Sequence, residues 1–168
     1  MNILFVTATR IGDAVLSTGL LSYLIRRYPD ARFTIAAGAP AAPLFAAVPG
    51  LERLIVLEKR PWRLHWLSLM ADVGCRRWDL VVDLRGSALA WVLRAGERRV
   101  MAKGDPREHR VRQLGRLFGL NPPPSPRLWT APEHEHAAAS LLPPGPPVLA
   151  IGPAANWRGK QWRADRFA

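Results

Sequence analysis

Two short segments carry the residue types that could do chemistry. The first is Thr7-Ala8-Thr9-Arg10-Ile11-Gly12-Asp13, between an apolar run and a helical pattern. A carboxylate at the start of a helix, as on Asp13, can take a proton from a substrate hydroxyl. It can equally serve as a helix cap, and the spacing leaves both roles open. Gly12 allows a backbone to come close to a ligand. The turn holds one glycine rather than the three of a dinucleotide fingerprint, which argues against NAD or FAD.

The second segment is Gly152-Pro153-Ala154-Ala155-Asn156-Trp157-Arg158-Gly159-Lys160-Gln161-Trp162. Backbone N–H groups between a strand and a helix can hold phosphate, and Lys160 adds a point charge. The alternative is an exposed basic loop. It is not a Walker A loop, because Ala154 stands at that motif's first glycine and Gln161 at its Ser/Thr. Metal chemistry is not expected. No Asp-x-Asp triplet occurs, and His65, His109, His134 and His136 lack zinc spacing. Cys75 is the sole cysteine, so neither a disulfide framework nor a cysteine-only zinc site is available. No cofactor is expected.

The elements that must position these residues alternate. Residues 2–7, 32–37, 51–57 and 80–84 read as strands, with 98–103 a further one, as apolar runs bounded by turn signals. Helical patterns cover Asp13 to about Tyr28, then 40–47, 62–75, 87–95, 108–119 and 132–142. Strands alternating with helices predict an α/β fold, a parallel sheet with helices on both faces. Pro143-Pro144-Gly145-Pro146-Pro147 is the sharpest break in composition, and prolines make it a semi-rigid linker. After it, Val148-Leu149-Ala150-Ile151-Gly152 reads as a strand, and Arg163 starts a helix. The expected organisation is a Rossmann-like domain over 1–142, a linker over 143–147, and the first βα unit of a second, truncated domain over 148–168.

Composition bounds the function. The 168 residues are 49% hydrophobic and 22% charged, which excludes a disordered tail, a collagen and a coiled coil. The net charge is +11, carried almost entirely by arginine. Such a field favours an anionic partner, although genomic base composition also raises arginine. The opening Met1–Val6 has no basic segment ahead of its short apolar run, and the uncharged stretch Phe33–Leu51 is broken by glycines and prolines. A cytoplasmic location is expected, at most peripheral to a membrane. In Lys59-Arg60-Pro61-Trp62-Arg63-Leu64-His65-Trp66-Leu67, Trp62 and Trp66 form an i,i+4 pair. That pair suits either the core or contact with an anionic lipid surface or acceptor.

Four segments in order resemble glycosyltransferase family 9, the heptosyltransferases of lipopolysaccharide synthesis. They are Ile3–Val6 with Arg10–Leu16, Asp79–Gly86, His109–Leu120, and Gly152–Trp157 with Gly159–Trp162. The resemblance implies a GT-B fold, in which an N-terminal domain takes the acceptor and a C-terminal domain the nucleotide sugar. It implies Asp13 as catalytic base. Lys160, Asn156 and Gly159 would hold the donor phosphates, and Arg10, Gly12, Arg60 and Arg85 the acceptor. The implied partners are an ADP-heptose type donor and a lipid-linked acidic saccharide, with peripheral membrane contact and no nucleic acid. The chain departs from the family pattern at Gly152-Pro153-Ala154-Ala155, where many members carry His-Pro-Gly-Ala, and at Trp162-Arg163. With most of a donor domain missing, this chain alone is expected not to catalyse transfer.

Two readings of different class follow. One is an inverting glycosyltransferase. The other is a non-enzymatic basic α/β module that binds an anionic ligand or nucleic acid through its arginines. Salt separates them, since affinity for nucleic acid falls steeply with salt, whereas a nucleotide-sugar site prefers one nucleotide.

Overall fold

The computed structural model describes residues 1–58, 65–142, 144–152, 155 and 157–166. They divide into two compact units, Met1–Thr130 and Ala131–Ala168. The first is built on five parallel strands: β1 (Asn2–Val6), β2 (Arg32–Gly38), β3 (Leu51–Leu57), β4 (Trp78–Asp83) and β5 (Ala95–Val100). Their spatial order is β3-β2-β1-β4-β5. The helices of this unit are α1 (Ile11–Arg27), α2 (His65–Val73), α3 (Leu89–Val92) and α4 (Arg110–Arg116), with a 3-10 turn at Ala42–Phe45. This is the α/β, Rossmann-like sheet that the alternating pattern predicts.

Side chains alternate across a strand, so the apolar runs split into two cores. Ile3, Phe5, Phe33, Ile35, Leu80 and Val82 face α1 and α4, where Leu20, Leu21, Leu24 and Leu114 meet them. Leu4, Val6, Ala36, Ile55, Leu57 and Val81 face the other way, onto Leu69 and Val73 of α2 and Leu89 and Ala90 of α3. A strand buried on both faces must be apolar throughout, which is why β1 shows no polar alternation.

Helix α1 ends at Arg27, where the Tyr28 N–H donates to the Leu24 carbonyl at 2.9 Å and Pro29 follows. The expected helix over 87–95 shrinks to Leu89–Val92, and the last strand starts at Ala95 rather than 98. Arg98 explains the early stop. Its guanidinium donates to the carbonyls of Ala90, Leu93 and Ala95 at 2.9, 2.6 and 3.1 Å, so these oxygens need no further helical turn. The expected helix over 62–75 is described from His65 onward; Arg60 and Trp62 lie outside the described residues.

The second unit holds α5 (Pro132–Leu141) and 3-10 turns at Arg158–Lys160 and Ala164–Arg166. Residues 132–142, expected with the first domain, group with the residues that follow them. The expected strand over 148–152 does not form. A strand needs a partner for its N–H and C=O groups, and the described residues of this unit include none. Val148, Leu149 and Ile151 are correspondingly exposed. The expected helix from Arg163 is only the short turn Ala164–Arg166.

The proline-rich connector after α4 is fastened to α1. Thr18 Oγ1 accepts from the Arg127 N–H at 3.0 Å and donates to the Val15 carbonyl at 2.7 Å. One residue on, a Cβ on Gly19 would lie 2.4 Å from the Pro124 carbonyl oxygen and 2.8 Å from that of Ser125. A Cβ on Gly115 of α4 would lie 2.9 Å from Pro123 Cβ. Both helices therefore need glycine where the connector crosses. Gly19→Ala should destabilise the protein by about 1–3 kcal/mol through this backbone clash. The gain of about 1 kcal/mol in helix propensity does not offset it. Urea denaturation measures the difference, and an unchanged midpoint would show that the connector does not hold this position in solution.

Candidate functional site

In an open parallel sheet, ligands sit beyond the carboxyl ends of the strands where the strand order reverses. Here that point lies between β1 and β4. The chain runs from β1 through α1 to β2 on one side, and returns from β3 through α2 to β4 on the other. Val6 and Asp83 are register partners, so the loops Thr7–Arg10 and Leu84–Ser87 leave the sheet side by side.

Each loop is held by its own polar contacts. The Thr7 N–H donates to the Ala36 carbonyl at 2.9 Å, and the Gly38 N–H to that of Ala8 at 3.3 Å. Gly38 must lack a side chain, since a Cβ there would sit 2.5 Å from Thr9 Cα. Thr7 Oγ1 lies 2.7 Å from Ser17 Oγ, which donates to the Ala14 carbonyl at 2.7 Å. Ser17 has one proton, already used, so Thr7 is the donor of the pair. This buried relay ties the end of β1 to the first turns of α1.

On the other side, Asp83 is 1% exposed. Its Oδ1 accepts from the Arg85 N–H at 2.8 Å, and its Oδ2 accepts from the Ser87 N–H at 2.7 Å and from Ser87 Oγ at 2.5 Å. Three donors from one loop make Asp83 a structural carboxylate that closes the turn. Gly86 supplies the left-handed residue at φ +62°. Arg110 reaches across from α4, its Nη2 donating to the Leu84 carbonyl at 3.3 Å.

The expected site residues fall into three groups. Arg10, Gly12 and Asp13 lie together at the exposed start of α1, and Arg85 is half-buried in the adjoining loop. Lys160 and Gly159 lie in the 3-10 turn of the second unit, where the Gly159 backbone rests against the Trp157 ring and Gln161 Nε2 donates to the Ala155 carbonyl at 2.6 Å. Arg60 and Asn156 lie outside the described residues.

Asp13 is not the N-cap that its place in the sequence allowed. Arg10 occupies the cap without a side-chain bond, having no acceptor to offer, and Asp13 is the third helical residue. Among the described residues its carboxylate has no hydrogen-bond or ion-pair partner. The first helical N–H groups of Ile11, Gly12 and Asp13 point beyond the helix end, as such groups must. A Cβ on Gly12 would meet nothing within 4 Å, so neither packing nor a positive φ demands glycine there.

Sequence reasoning did not single out Lys103, Arg107 and Arg110, which follow β5 along the same edge of the sheet. The carboxylates among them are engaged: Asp105 accepts from the Arg107 N–H, and Glu108 pairs with Arg116. Among the described residues Arg10, Arg85, Lys103, Arg107 and Arg110 outnumber Asp13, Asp83 and Asp105, so the edge keeps a surplus of positive charge. The signal was available only as basic residues near strand ends.

This geometry sets opposite signs for stability and binding. Gly12→Ala should leave stability unchanged or raise it by up to about 1 kcal/mol, since the site is open and helical. If the open space serves a ligand, the same change should weaken ligand binding. A lower melting temperature for Gly12→Ala would contradict the open geometry.

No family model and no curated protein matches the chain. Solved structures do. A glycosyl transferase family 9 structure from Veillonella parvula aligns over 99% of this chain and 57% of its own, with TM-score 0.70 and 16% identity. The ADP-heptose lps heptosyltransferase II of E. coli aligns over 85% of this chain and 51% of its own, with TM-score 0.53 and 20% identity. E. coli heptosyltransferase WaaC, solved with ADP-2-deoxy-2-fluoro heptose, aligns over 70% and 47%, with TM-score 0.52 and 16% identity. The chain thus spans about half the length of the structures it matches. What it shares with them is the fold: a Rossmann-like parallel sheet of the kind found in GT-B glycosyltransferases.

Proposed function

We propose that this chain is the acceptor-side part of an inverting glycosyltransferase of family 9. It would move a heptose-type sugar from a nucleotide-diphosphate donor of the ADP-heptose type to a lipopolysaccharide core or similar lipid-linked acidic saccharide. The observation that carries the reading is an exposed Asp13, without a partner among the described residues, beside Gly12 at the switch point of the sheet, in a chain that aligns over 99% of its length with a family 9 structure. The positive edge formed by Arg10, Arg85, Lys103, Arg107 and Arg110 supports an acidic acceptor.

In this mechanism the acceptor hydroxyl gives its proton to the Asp13 carboxylate. Its oxygen attacks the anomeric carbon from the face opposite the diphosphate, and a new C–O bond forms with inversion. The old C–O bond breaks, and its electron pair leaves with the diphosphate. Lys160 provides charge for that leaving group, with Gly159 and Asn156 offering backbone and amide contacts. Arg10, Gly12, Arg60 and Arg85 orient the acceptor. A lipid-linked acceptor places the reaction at the cytoplasmic face of a membrane. The matched structures are about twice the length of the part this chain aligns with, and the reading supposes that transfer needs a donor domain of that extent.

Two substitutions in the complete protein test the roles. Asp13→Asn keeps the shape of the side chain and loses proton acceptance. Turnover should drop about 10²–10⁴-fold with donor affinity unchanged. Normal turnover in this variant would return Asp13 to a carboxylate that merely complements the helix dipole. Lys160→Ala should lower both donor affinity, read by calorimetry with the nucleotide sugar, and turnover. An unchanged donor affinity would remove Lys160 from the donor site.

A further inference from the structure

The surface of the first unit carries an apolar pair on α3. Helix α3 buries Leu89 and Ala90 and exposes its other two residues, Trp91 at 69% and Val92 at 66%. Among the described residues the Trp91 indole N–H has no acceptor. An exposed tryptophan next to an exposed valine leaves hydrocarbon in water.

Cations outnumber anions around the pair. The Trp78 N–H donates to the Arg94 carbonyl at 2.9 Å, which brings Arg77 and Arg94 together where β4 and β5 begin. Both side chains are exposed, and neither has an ion-pair partner among the described residues. Arg98 is fixed on the Ala90 and Leu93 carbonyls, so a third guanidinium sits under α3. Of the neighbouring carboxylates, Asp72 pairs with Arg53 and Glu97 with Arg99; Asp79, which accepts from the Asn2 N–H, keeps its charge and is outnumbered by Arg77, Arg94 and Arg98.

We infer that the α3 corner, with Trp91 and Val92 flanked by Arg77 and Arg94, docks on an anionic lipid surface. Indole and aliphatic groups gain at the boundary of acyl chains and headgroups, while guanidinium groups gain at the phosphates. A bilayer offers both at once. A second copy of this chain would set cations against the same cations, in a protein of net charge +11. A nucleic acid would satisfy the arginines and could stack on Trp91, but would leave Val92 in water. Arg77 precedes β4 and Arg94 precedes β5, so both lie at the end of the sheet opposite the crevice, across strands about 17 Å long over five residue steps. Docking through these arginines leaves the switch point free. This inference stands on the corner alone and does not require sugar transfer.

Vesicle flotation tests it, with the full chain and vesicles of phosphatidylcholine alone or mixed equally with phosphatidylglycerol. The protein should float with the mixed vesicles and not with phosphatidylcholine. Arg77→Gln/Arg94→Gln should weaken partitioning by about 25-fold, each cation contributing roughly 5-fold near an anionic surface. Trp91→Ser/Val92→Ser should weaken it by at least about 10-fold. All four side chains are exposed, so the melting temperature should hold in both variants. Failure of the wild type to float with mixed vesicles would overturn the inference, as would flotation of both variants like the wild type. Binding of a single-stranded oligonucleotide that Trp91→Ser/Val92→Ser weakens more than lipid binding would assign the corner to nucleic acid instead. None of these outcomes bears on Asp13 turnover, so failure here and failure of the glycosyltransferase reading are separable.

Discussion

Strand β1 is bonded on both sides, to β2 from Asn2 to Val6 and to β4 from Ile3 to Val6, and everything at the crevice depends on that double pairing. Parallel strands end at one edge of the sheet. A central strand whose neighbours belong to opposite halves of the winding leaves a gap beyond its carboxyl end. The two loops flanking this gap then differ in use. Leu84–Ser87 is closed by the buried Asp83 carboxylate, whereas Thr7–Arg10 is held by backbone bonds and the Thr7–Ser17 relay, leaving Arg10, Gly12 and Asp13 exposed. One acid is consumed by structure and the other is left available.

Helix α1 links this edge to the path of the outgoing chain. Its first turn carries Asp13, and its Thr18 and Gly19 receive the connector at Arg127 and Pro124. The connector is thus part of the first unit's fabric up to Thr130, rather than a loose tether. Two glycines on neighbouring helices, Gly19 and Gly115, make room for it, so the same contact also fixes the spacing of α1 and α4.

Positive charge is distributed unevenly between roles. Arg98 is spent on three carbonyls, Arg76 on Glu52 and the Trp78 ring, and Arg99 on Glu97 and the Phe118 ring. These arginines build the fold. Arg10, Lys103 and Arg107 at the crevice edge, and Arg77 and Arg94 at the far corner, have no such side-chain partners among the described residues. At these two places, among the described residues, the basic side chains are left without carboxylate partners, whereas Arg76 and Arg99 have theirs.

Apolar runs with turn signals between them were enough to locate β1 to β4, α1 and the position of Gly12 and Asp13, because burial on both faces forces local composition. The boundaries of α3 and β5 were not legible, since they depend on Arg98 reaching back to carbonyls three to eight residues away. The strand expected at 148–152 failed for the converse reason: its composition suits a strand, but a strand exists only where a partner supplies hydrogen bonds. The sequence alone determined the α/β class and the turn that carries Asp13. Only the tertiary structure decided that Asp83 is buried and engaged, that Asp13 is the third helical residue and exposed, and that Trp91 and Arg94 share a corner. Those facts follow from backbone groups far apart in the chain meeting in space, and local periodicity holds no record of such meetings.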